Sequence, residues 1–393
     1  MISVEEARQR LLKLASLMPV VSTPLPLAKG RFLAEDLIAR RQQPAAHMSA
    51  MDGYAVRFSD CPGPWSVIGE SAAGHRYNGA LAAGEAVRIF TGAHLPENSD
   101  CVIIQEDIER SGDNISLCGD APHQKWHHVR KAGSDFSNGD RLAQAGTQVN
   151  AGIIAAAAMA GYGDLPLFAG PRVAIISSGD ELVPPGLPLR TEQIPSSNAV
   201  MIAAMLSSLP CEVQDLGIAR DNLASLAEKL EQAKGADIIV TIGGASVGDH
   251  DLVHRAATDA GATMDFWRIA VRPGKPLMAG KLGNSVMLGL PGNPGSAFVT
   301  AFLFLLPLVR HMAGSAQPWP TSLSAPCTTA IAAGGPRAEY LRAVLQDGEL
   351  TPFHMQDSGV TKPLASANAL IIRPVDAPPV GVGDIVAYLP LDI

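Results

Sequence analysis

The sequence predicts a multidomain protein of the α/β plus all-β class, in which a central doubly wound, mostly parallel sheet lies between two β modules along the chain. Three observations support this. Strand-like and helix-like segments alternate from Pro171 to about Gly314, as a parallel sheet with helices on both faces requires. Runs such as Val173-Ala174-Ile175-Ile176 and Ile238-Ile239-Val240-Thr241-Ile242 are apolar throughout, as strands covered on both sides must be. At 393 residues, the chain exceeds what one ordinary core accommodates.

Taken in order, residues 3–17 read as a capped amphipathic helix. Ser3 followed by Glu6 forms a capping box, and Ala7, Leu11, Leu14 and Ala15 recur at helical spacing. From about residue 46 to 139 the texture changes to short strands between Gly, Pro and Asn turns, for example Trp65–Glu70, Ala86–Phe90 and Cys101–Ile104. Residues 149–163 return to helix, so this β module is inserted into a region that resumes after it. In the α/β segment, strands are expected at Arg172–Ser177, Glu212–Ile218, Ala236–Ile242, Thr263–Ala270 and Val286–Gly289. Helices are expected at Asn198–Ser208, Asn222–Lys234, His250–Ala260 and Gly295–Met312. Pro318 and Pro320 mark a linker, and the last ~70 residues again read as short strands and turns.

Composition narrows the function. The net charge is −8 with no dense basic run, so nucleic acid is a poor partner, and an anionic ligand would need a local cluster of positive charge. The five cysteines are widely spaced without a CxxC pair, which predicts free thiols in a reducing compartment. No signal-peptide apolar region opens the chain. The most apolar stretches, Ile153–Ala160 and Ala297–Val309, fall short of the ~18 residues a membrane span needs, and Pro307 should break the second. A cytoplasmic location without a membrane partner is expected.

Chemistry concentrates at the strand ends of the α/β segment, where open parallel sheets bind ligands. After Ile242 comes Gly243-Gly244-Ala245-Ser246-Val247-Gly248-Asp249-His250-Asp251. Paired glycines let backbone amides approach a phosphate, although the same residues could form a tight turn with a capping Asp. The first strand ends in Ser177-Ser178-Gly179-Asp180-Glu181, and its adjacent carboxylates, with Asp251, could hold a hard cation such as Mg²⁺. Arg268, Arg272 and Lys275 supply positive charge. If Arg268–Arg272 is extended, both guanidinium groups share one face about 13 Å apart. The loop Gly289-Leu290-Pro291-Gly292-Asn293-Pro294-Gly295-Ser296 opens the last helix, with Asn293 or Ser296 as cap or its backbone as a rigid wall of donors.

These motifs, with SAMDGYAVR (49–57), TGAHLP (91–96), RKAGSDF (130–136) and the segment from Asp357 to Ala369, resemble in their order the MoeA-type molybdopterin molybdenumtransferases, a family that includes the C-terminal domain of gephyrin. The resemblance runs along essentially the whole chain. It implies an elongated, helical, discontinuous N-terminal domain (1–45 and 140–170), an inserted β domain (46–139), a molybdopterin-binding α/β domain (171–314) and a C-terminal β-barrel (320–393). It further implies Mg²⁺-dependent hydrolysis of adenylyl-molybdopterin with transfer of molybdate, giving molybdenum cofactor and AMP. Asp180, Glu181 and Asp251 would place the metal. Gly243, Gly244, Ser246 and Gly248 would cradle the pterin phosphate, and Arg268, Arg272 and Lys275 would hold anions. Pro291, Asn293 and Ser366 would complete the binding surface, and Asp52, Thr91 and Asp135 would face the site across a homodimer. A molybdopterin adenylyltransferase and molybdoenzyme apoproteins would be partners. The chain departs from the family pattern at Ser196 (usually Asp), Ala245 and Gly295 (usually Val), Arg268 and Arg272 (usually Lys) and Ala369 (usually Gly). Two rival readings are a related nucleotide phosphoanhydride hydrolase and a non-catalytic molybdopterin-binding scaffold. The inserted β domain counts against the first, and retention of Asp52, Asp180, Glu181 and Asp251 counts against the second.

Overall fold

The computed structural model describes residues 1–244 and 252–391. The chain divides into two compact units, one comprising Met1–Glu35, Ala145–Asn150 and Leu165–Ile393, the other Asp36–Gln144 and Ala151–Asp164.

In the first unit, helix α1 (Val4–Leu14) starts where the capping box predicts, with the Glu6 amide donating to Ser3 Oγ at 3.0 Å. Its apolar stripe of Val4, Ala7 and Leu11 is buried in the same core as Ile175, Val240 and Leu308. The chain beyond it is less helical than expected. It runs through extended segments joined by bridges such as Phe32–Gln148 and Leu33–Leu167. Pro19, Pro24 and Pro26 interrupt that stretch, and Val20, Val21 and Thr23 favour extended backbone.

The second unit is built on a six-stranded sheet. Its strands are β1 (Gly53–Val56), β2 (Trp65–Ser71), β3 (Glu85–Ile89), β4 (Cys101–Ile104), β5 (Ile108–Ser111) and β6 (Asn114–Leu117), in the order β4-β1-β3-β2-β6-β5. Tyr54, Val56, Trp65, Ile103 and Ile115 fill one face. Helix α2 (Ala151–Ala160) belongs to this unit and buries Ala157 and Ala160.

The α/β part of the first unit contains β7 (Arg172–Ser178), β8 (Glu212–Ala219), β9 (Ile238–Ile242), β10 (Thr263–Arg268), β11 (Val271–Arg272), β12 (Pro276–Leu282) and β13 (Ser285–Leu290). Six of these form a sheet in the order β8-β7-β9-β13-β12-β10. Helices α3 (Ser197–Leu206), α4 (Leu223–Gln232), α5 (Leu252–Asp259) and α6 (Pro294–Met312) accompany them. Period-2 alternation along β7 sends Val173 and Ile175 into one core with α1, α3 and α6, and Ala174 and Ile176 into another with α4 and α5.

The sheet is mostly parallel, as expected, but not wholly so: one strand, β12, runs antiparallel to both of its neighbours, β13 and β10. Gly283-Asn284 closes a hairpin in which Leu282 pairs with Ser285, and Gly283 takes the left-handed φ of +60° such a turn requires. Contrary to expectation, Pro307 does not break α6. The helix widens to an i→i+5 turn over Ala301–Leu305, just before the proline, which accommodates the ring and the missing N–H. The resulting 19-residue helix is long and apolar enough to cross a membrane, yet 89% of it is buried inside the protein. It is a core helix.

The C-terminal strands are β14 (Leu323–Pro326), β15 (Ala338–Gln346), β16 (Glu349–Pro352), β17 (Ala369–Arg373) and β18 (Ile385–Pro390). They form a sheet in the order β11-β15-β17-β18-β14, with β16 paired to β15. Isolated bridges from Cys327 to Leu350 and from Ile331 to Val380 add further links in this region. Strand β11 joins this sheet rather than continuing β10, so the chain crosses from one sheet to the other between Arg268 and Arg272.

The glycine of the 49–57 motif has a packing role. A Cβ at Gly53 would lie 1.9 Å from the Ile103 carbonyl oxygen, a backbone atom that cannot swing away. Gly53→Ala should therefore destabilise the second unit by roughly 1–3 kcal/mol, seen as a lowered melting transition. An unchanged transition would contradict the close approach.

Candidate active site

The loops following β7, β8, β9 and β13 meet at the carboxyl edge of the sheet. After β7, the Gly179 amide donates to the Ala219 carbonyl at 3.3 Å, and Ser178 Oγ donates to Asp221 at 2.9 Å. The Asp221 amide donates to Asp180 Oδ1 at 3.2 Å, so Asp180 is held from the neighbouring loop. The Glu181 carboxylate folds back over Gly179, 2.6 Å from where a Cβ would stand.

Gly243 and Gly244 end β9 with φ of +87° and +66°. A Cβ on Gly243 would lie 2.6 Å from the Ser178 carbonyl oxygen, and one on Gly244 would lie 2.4 Å from Val253. The Gly243 amide donates to the Leu290 carbonyl at 3.1 Å, and a Cβ on Gly292 would lie 3.5 Å from the Gly243 Cα. The glycines are thus required by backbone approach on several sides. Ser246, Gly248 and Asp251, expected to cradle phosphate and bind metal, lie outside the described residues.

The helix-opening loop is fixed from two directions. Asn198, on α3, donates through Nδ2 to the Gly292 carbonyl at 2.6 Å, while its buried Oδ1 has no hydrogen-bond partner among the described residues. Asn293 Nδ2 donates to Ser358 Oγ at 2.9 Å, and the Gly295 amide donates to the Ser358 carbonyl at 2.8 Å. Pro291 is buried beside them. Arg342 is fully buried next to this loop and donates to the carbonyls of Asp357 and Val360 and to Gln356. Burial pushes its guanidinium pKa down, and Asp357 partly opposes the shift. A Cβ at Gly295 would lie 3.0 Å from both Arg342 Nη1 and the Ser358 carbonyl oxygen, so a valine there would have to displace them.

The basic row differs from its expected geometry. Arg268 ends β10 and Arg272 lies in β11 of the other sheet, with the Ile269 amide bonded to the Lys275 carbonyl between them. They do not share one extended face. Arg272 donates to Glu339 at 2.9 Å, and Arg268, Arg272 and Lys275 are all exposed. The turn carrying Lys275 packs on α6, because a Cβ at Gly274 would lie 2.4 Å from Thr300. Ser366 follows an exposed 3₁₀ turn, Lys362–Ala365.

A cavity of about 470 Å³ opens beside Asp180 and is lined by Ser177, Gly179, Arg190, Gln193, Ser196 and Arg220, among others. Ser196, standing where an Asp was expected, donates to Ser177 Oγ at 3.3 Å. Sequence reasoning missed Arg190, Arg220, Asn198 and Arg342 as site residues. Arg220 immediately follows β8, so the strand-end rule could have found it. Arg342 is a charge within the apolar run Leu341–Leu345, which was the available signal for a buried polar role.

In the second unit, Asp52 Oδ1 accepts from the Thr91 amide at 2.7 Å and from Thr91 Oγ at 2.8 Å. The amide bond first, then the hydroxyl, holds the Asp52 carboxyl below the ordinary carboxylate range. Asp135 is exposed on a turn whose amide donates to the Gln43 carbonyl at 3.0 Å.

Comparisons with known proteins bear on all of this. Family models described as the MoeA N-terminal region (domain I and II), a probable molybdopterin binding domain and the MoeA C-terminal region (domain IV) match residues 2–161, 174–311 and 324–391. A molybdopterin molybdenumtransferase of Haemophilus influenzae is 35% identical over 366 residues, covering 91% of this chain and 90% of the relative. One from Nostoc sp. is 34% identical, covering 93% and 87%. The crystal structure of a molybdopterin biosynthesis moea protein from Pyrococcus horikosii superposes with a TM-score of 0.85 at 28% identity over 100% of both chains.

The Asp52–Thr91 pair gives a titration test. Thr91→Val removes the hydroxyl donor, so the Asp52 midpoint followed by carboxyl ¹³C NMR should rise toward the ordinary carboxylate value. The charged form is stabilised only above that midpoint, so the variant should protonate Asp52 at a higher pH than the wild type. An unmoved midpoint would show that the hydroxyl contributes nothing.

Proposed function

The chain belongs to the molybdopterin molybdenumtransferase (MoeA) family, and from that premise we propose that this transferase of molybdenum cofactor biosynthesis joins molybdate to the dithiolene of adenylyl-molybdopterin at the strand-end site. In the proposed reaction, water cleaves the phosphoanhydride and AMP leaves. The two dithiolene sulfurs then bond to molybdenum, and one oxide of molybdate takes the two thiol protons and departs as water.

The single observation that carries the reading is the meeting of the Gly243, Asp180 and Asn293 loops at one sheet edge, beside a cavity whose lining includes Arg190 and Arg220 along with Asp180 and Asp215. The Gly243 amide is bonded to Leu290, and the left-handed turn that follows leaves the Gly244 amide to face a phosphate. Arg190 and Arg220 offer forked donors to oxyanions in a protein whose net charge of −8 would otherwise repel them. The unpartnered Asn198 Oδ1 is an acceptor suited to the N–H groups of a pterin. Arg268 and Lys275 add exposed positive charge, and Arg272, which gives one donor to Glu339, keeps its other N–H groups for an anion.

Mg²⁺ fits this donor set as a cation shared with the substrate. No three acidic, histidine or cysteine groups converge among the described residues, but Mg²⁺ commonly takes one or two carboxylates and fills its shell with water and phosphate. Asp180 and Glu181 would hold it, with Asp251 as the third carboxylate implied by the family resemblance. When bound, the ion supplies charge neutralisation at the phosphoanhydride. The residues of the chain orient the substrate, with Asp221 and Ser178 keeping the Asp180 loop in place. A homodimer in which Asp52, Thr91 and Asp135 complete the site of the other subunit belongs to the same proposal, as does a cytoplasmic location.

Incubation with adenylyl-molybdopterin, molybdate and Mg²⁺ should release AMP and form cofactor. Asp180→Asn should slow AMP release at least about tenfold, whereas Asn198→Ala should raise the half-saturating pterin concentration roughly two- to tenfold. Absence of AMP release by the wild type would refute the reaction. Light scattering should give about twice 41.0 kDa, and a fully active monomer would exclude the shared site.

A further inference from the structure

A second cavity, wholly within the second unit, holds about 450 Å³ and has a wall of a different kind, formed by His47, Pro96, Glu97, Asn98, Asp100 and Trp126. The rings of His47 and Trp126 meet at 4.4 Å between centroids, tilted by 38°. Trp126 has φ of +68° and Asn98 +63°, and His128, two residues on, has +54°. Left-handed backbone is disfavoured for large side chains, and three of the five such non-glycine residues in the described chain occur at or beside this cavity. The conformation persists because the Trp126 amide donates to the Asp100 carbonyl at 2.6 Å and the Val129 amide to the Trp126 carbonyl at 3.2 Å. His47 Nδ1 accepts from the Ala132 amide at 3.1 Å, which holds the imidazole in place against Trp126.

The ionised side chains that line the cavity itself are two carboxylates, Glu97 and Asp100, with Lys125 and Lys131 standing beside it. Glu97 is exposed, and its carboxylate makes no hydrogen bond or ion pair among the described residues. Asp100 accepts from the Phe58 amide at 2.6 Å and pairs with Lys125 at 3.2 Å. Cations of the chain itself already gather here, Lys125 on the carboxylate and Lys131 at 5.8 Å from the Trp126 ring centroid. Each ammonium satisfies only one kind of partner. A planar guanidinium can stack on the indole while donating two parallel hydrogen bonds to Glu97. A nucleotide or an acidic peptide would instead meet the uncompensated carboxylate of Glu97, because Lys125 already offsets Asp100.

We propose that this cavity docks an arginine side chain presented by a partner protein, through stacking on Trp126 and a forked contact to Glu97. The cavity shares no residue with the strand-end site, and the proposal does not depend on the reaction assigned there.

The test uses the full-length chain and a pentapeptide probe, acetyl-Gly-Ser-Arg-Ser-Gly-amide, with saturation-transfer NMR as the readout. The arginine peptide should bind with Kd on the order of 1 mM. A lysine version should bind several-fold more weakly, and a glutamine version should not bind. Glycine accepts left-handed φ freely, so Trp126→Gly should keep its circular dichroism and melting transition while losing about fivefold or more in affinity. Glu97→Gln should lose roughly two- to fivefold. Failure of the arginine peptide to bind the wild type, equal binding to Trp126→Gly, or equal binding of the arginine and glutamine peptides would each overturn the proposal. So would binding of AMP at Trp126 in preference to the peptide.

Discussion

The strand-end site depends on the close approach of backbones around Gly243. Its Cα nearly touches Gly292, its amide bonds to Leu290, and the place of its missing side chain is taken by the Ser178 carbonyl. Three loops from three adjacent strands can converge only because no Cβ stands between them. The parallel order β7-β9-β13 places these loops at the same edge, and the burial of α1, α3 and α6 on one face fixes the strands beneath them. Function and packing therefore share the same residues. A glycine that lets an amide approach a ligand is also one that lets two loops touch.

An acidic protein that handles anionic substrates must concentrate its positive charge. The structure distributes that task unevenly. Arg342 is consumed in holding the 356–360 loop, and Arg272 and Arg190 are paired with Glu339 and Glu192, leaving Arg220, Arg268 and Lys275 without an ion pair among the described residues. Gly295 stands against Arg342 and the Ser358 carbonyl, so the absence of the branched side chain expected there is tied to how tightly this loop and α6 are joined.

Much of this was legible in the sequence. The Ser3–Glu6 cap, the alternation of elements and the glycine, Asp180 and Asn293 loops follow from local patterns that survive folding. The β12–β13 hairpin was signalled by Gly283-Asn284 but hidden by the preceding Pro-Gly-Lys-Pro segment, which reads as a loop. The basic row was misjudged because periodicity within one strand cannot reveal that the chain leaves its sheet after Arg268 and enters another at Val271. Pro307 was misjudged because a widened helical turn has no sequence signature of its own. Arg190, Arg220 and Asn198 join the site only through long-range packing, which no spacing rule encodes.

The most direct test of the glycine-centred site is the affinity of Gly243→Ala for adenylyl-molybdopterin, measured by calorimetry alongside the wild type. A methyl group there would meet the Ser178 carbonyl oxygen at 2.6 Å and would impose left-handed strain of about 1–2 kcal/mol. The loops should part, and affinity should fall at least about tenfold, while circular dichroism continues to report a folded α/β sheet. Wild-type affinity in the folded variant would contradict the account, because the loops would then not need to touch for the ligand to bind.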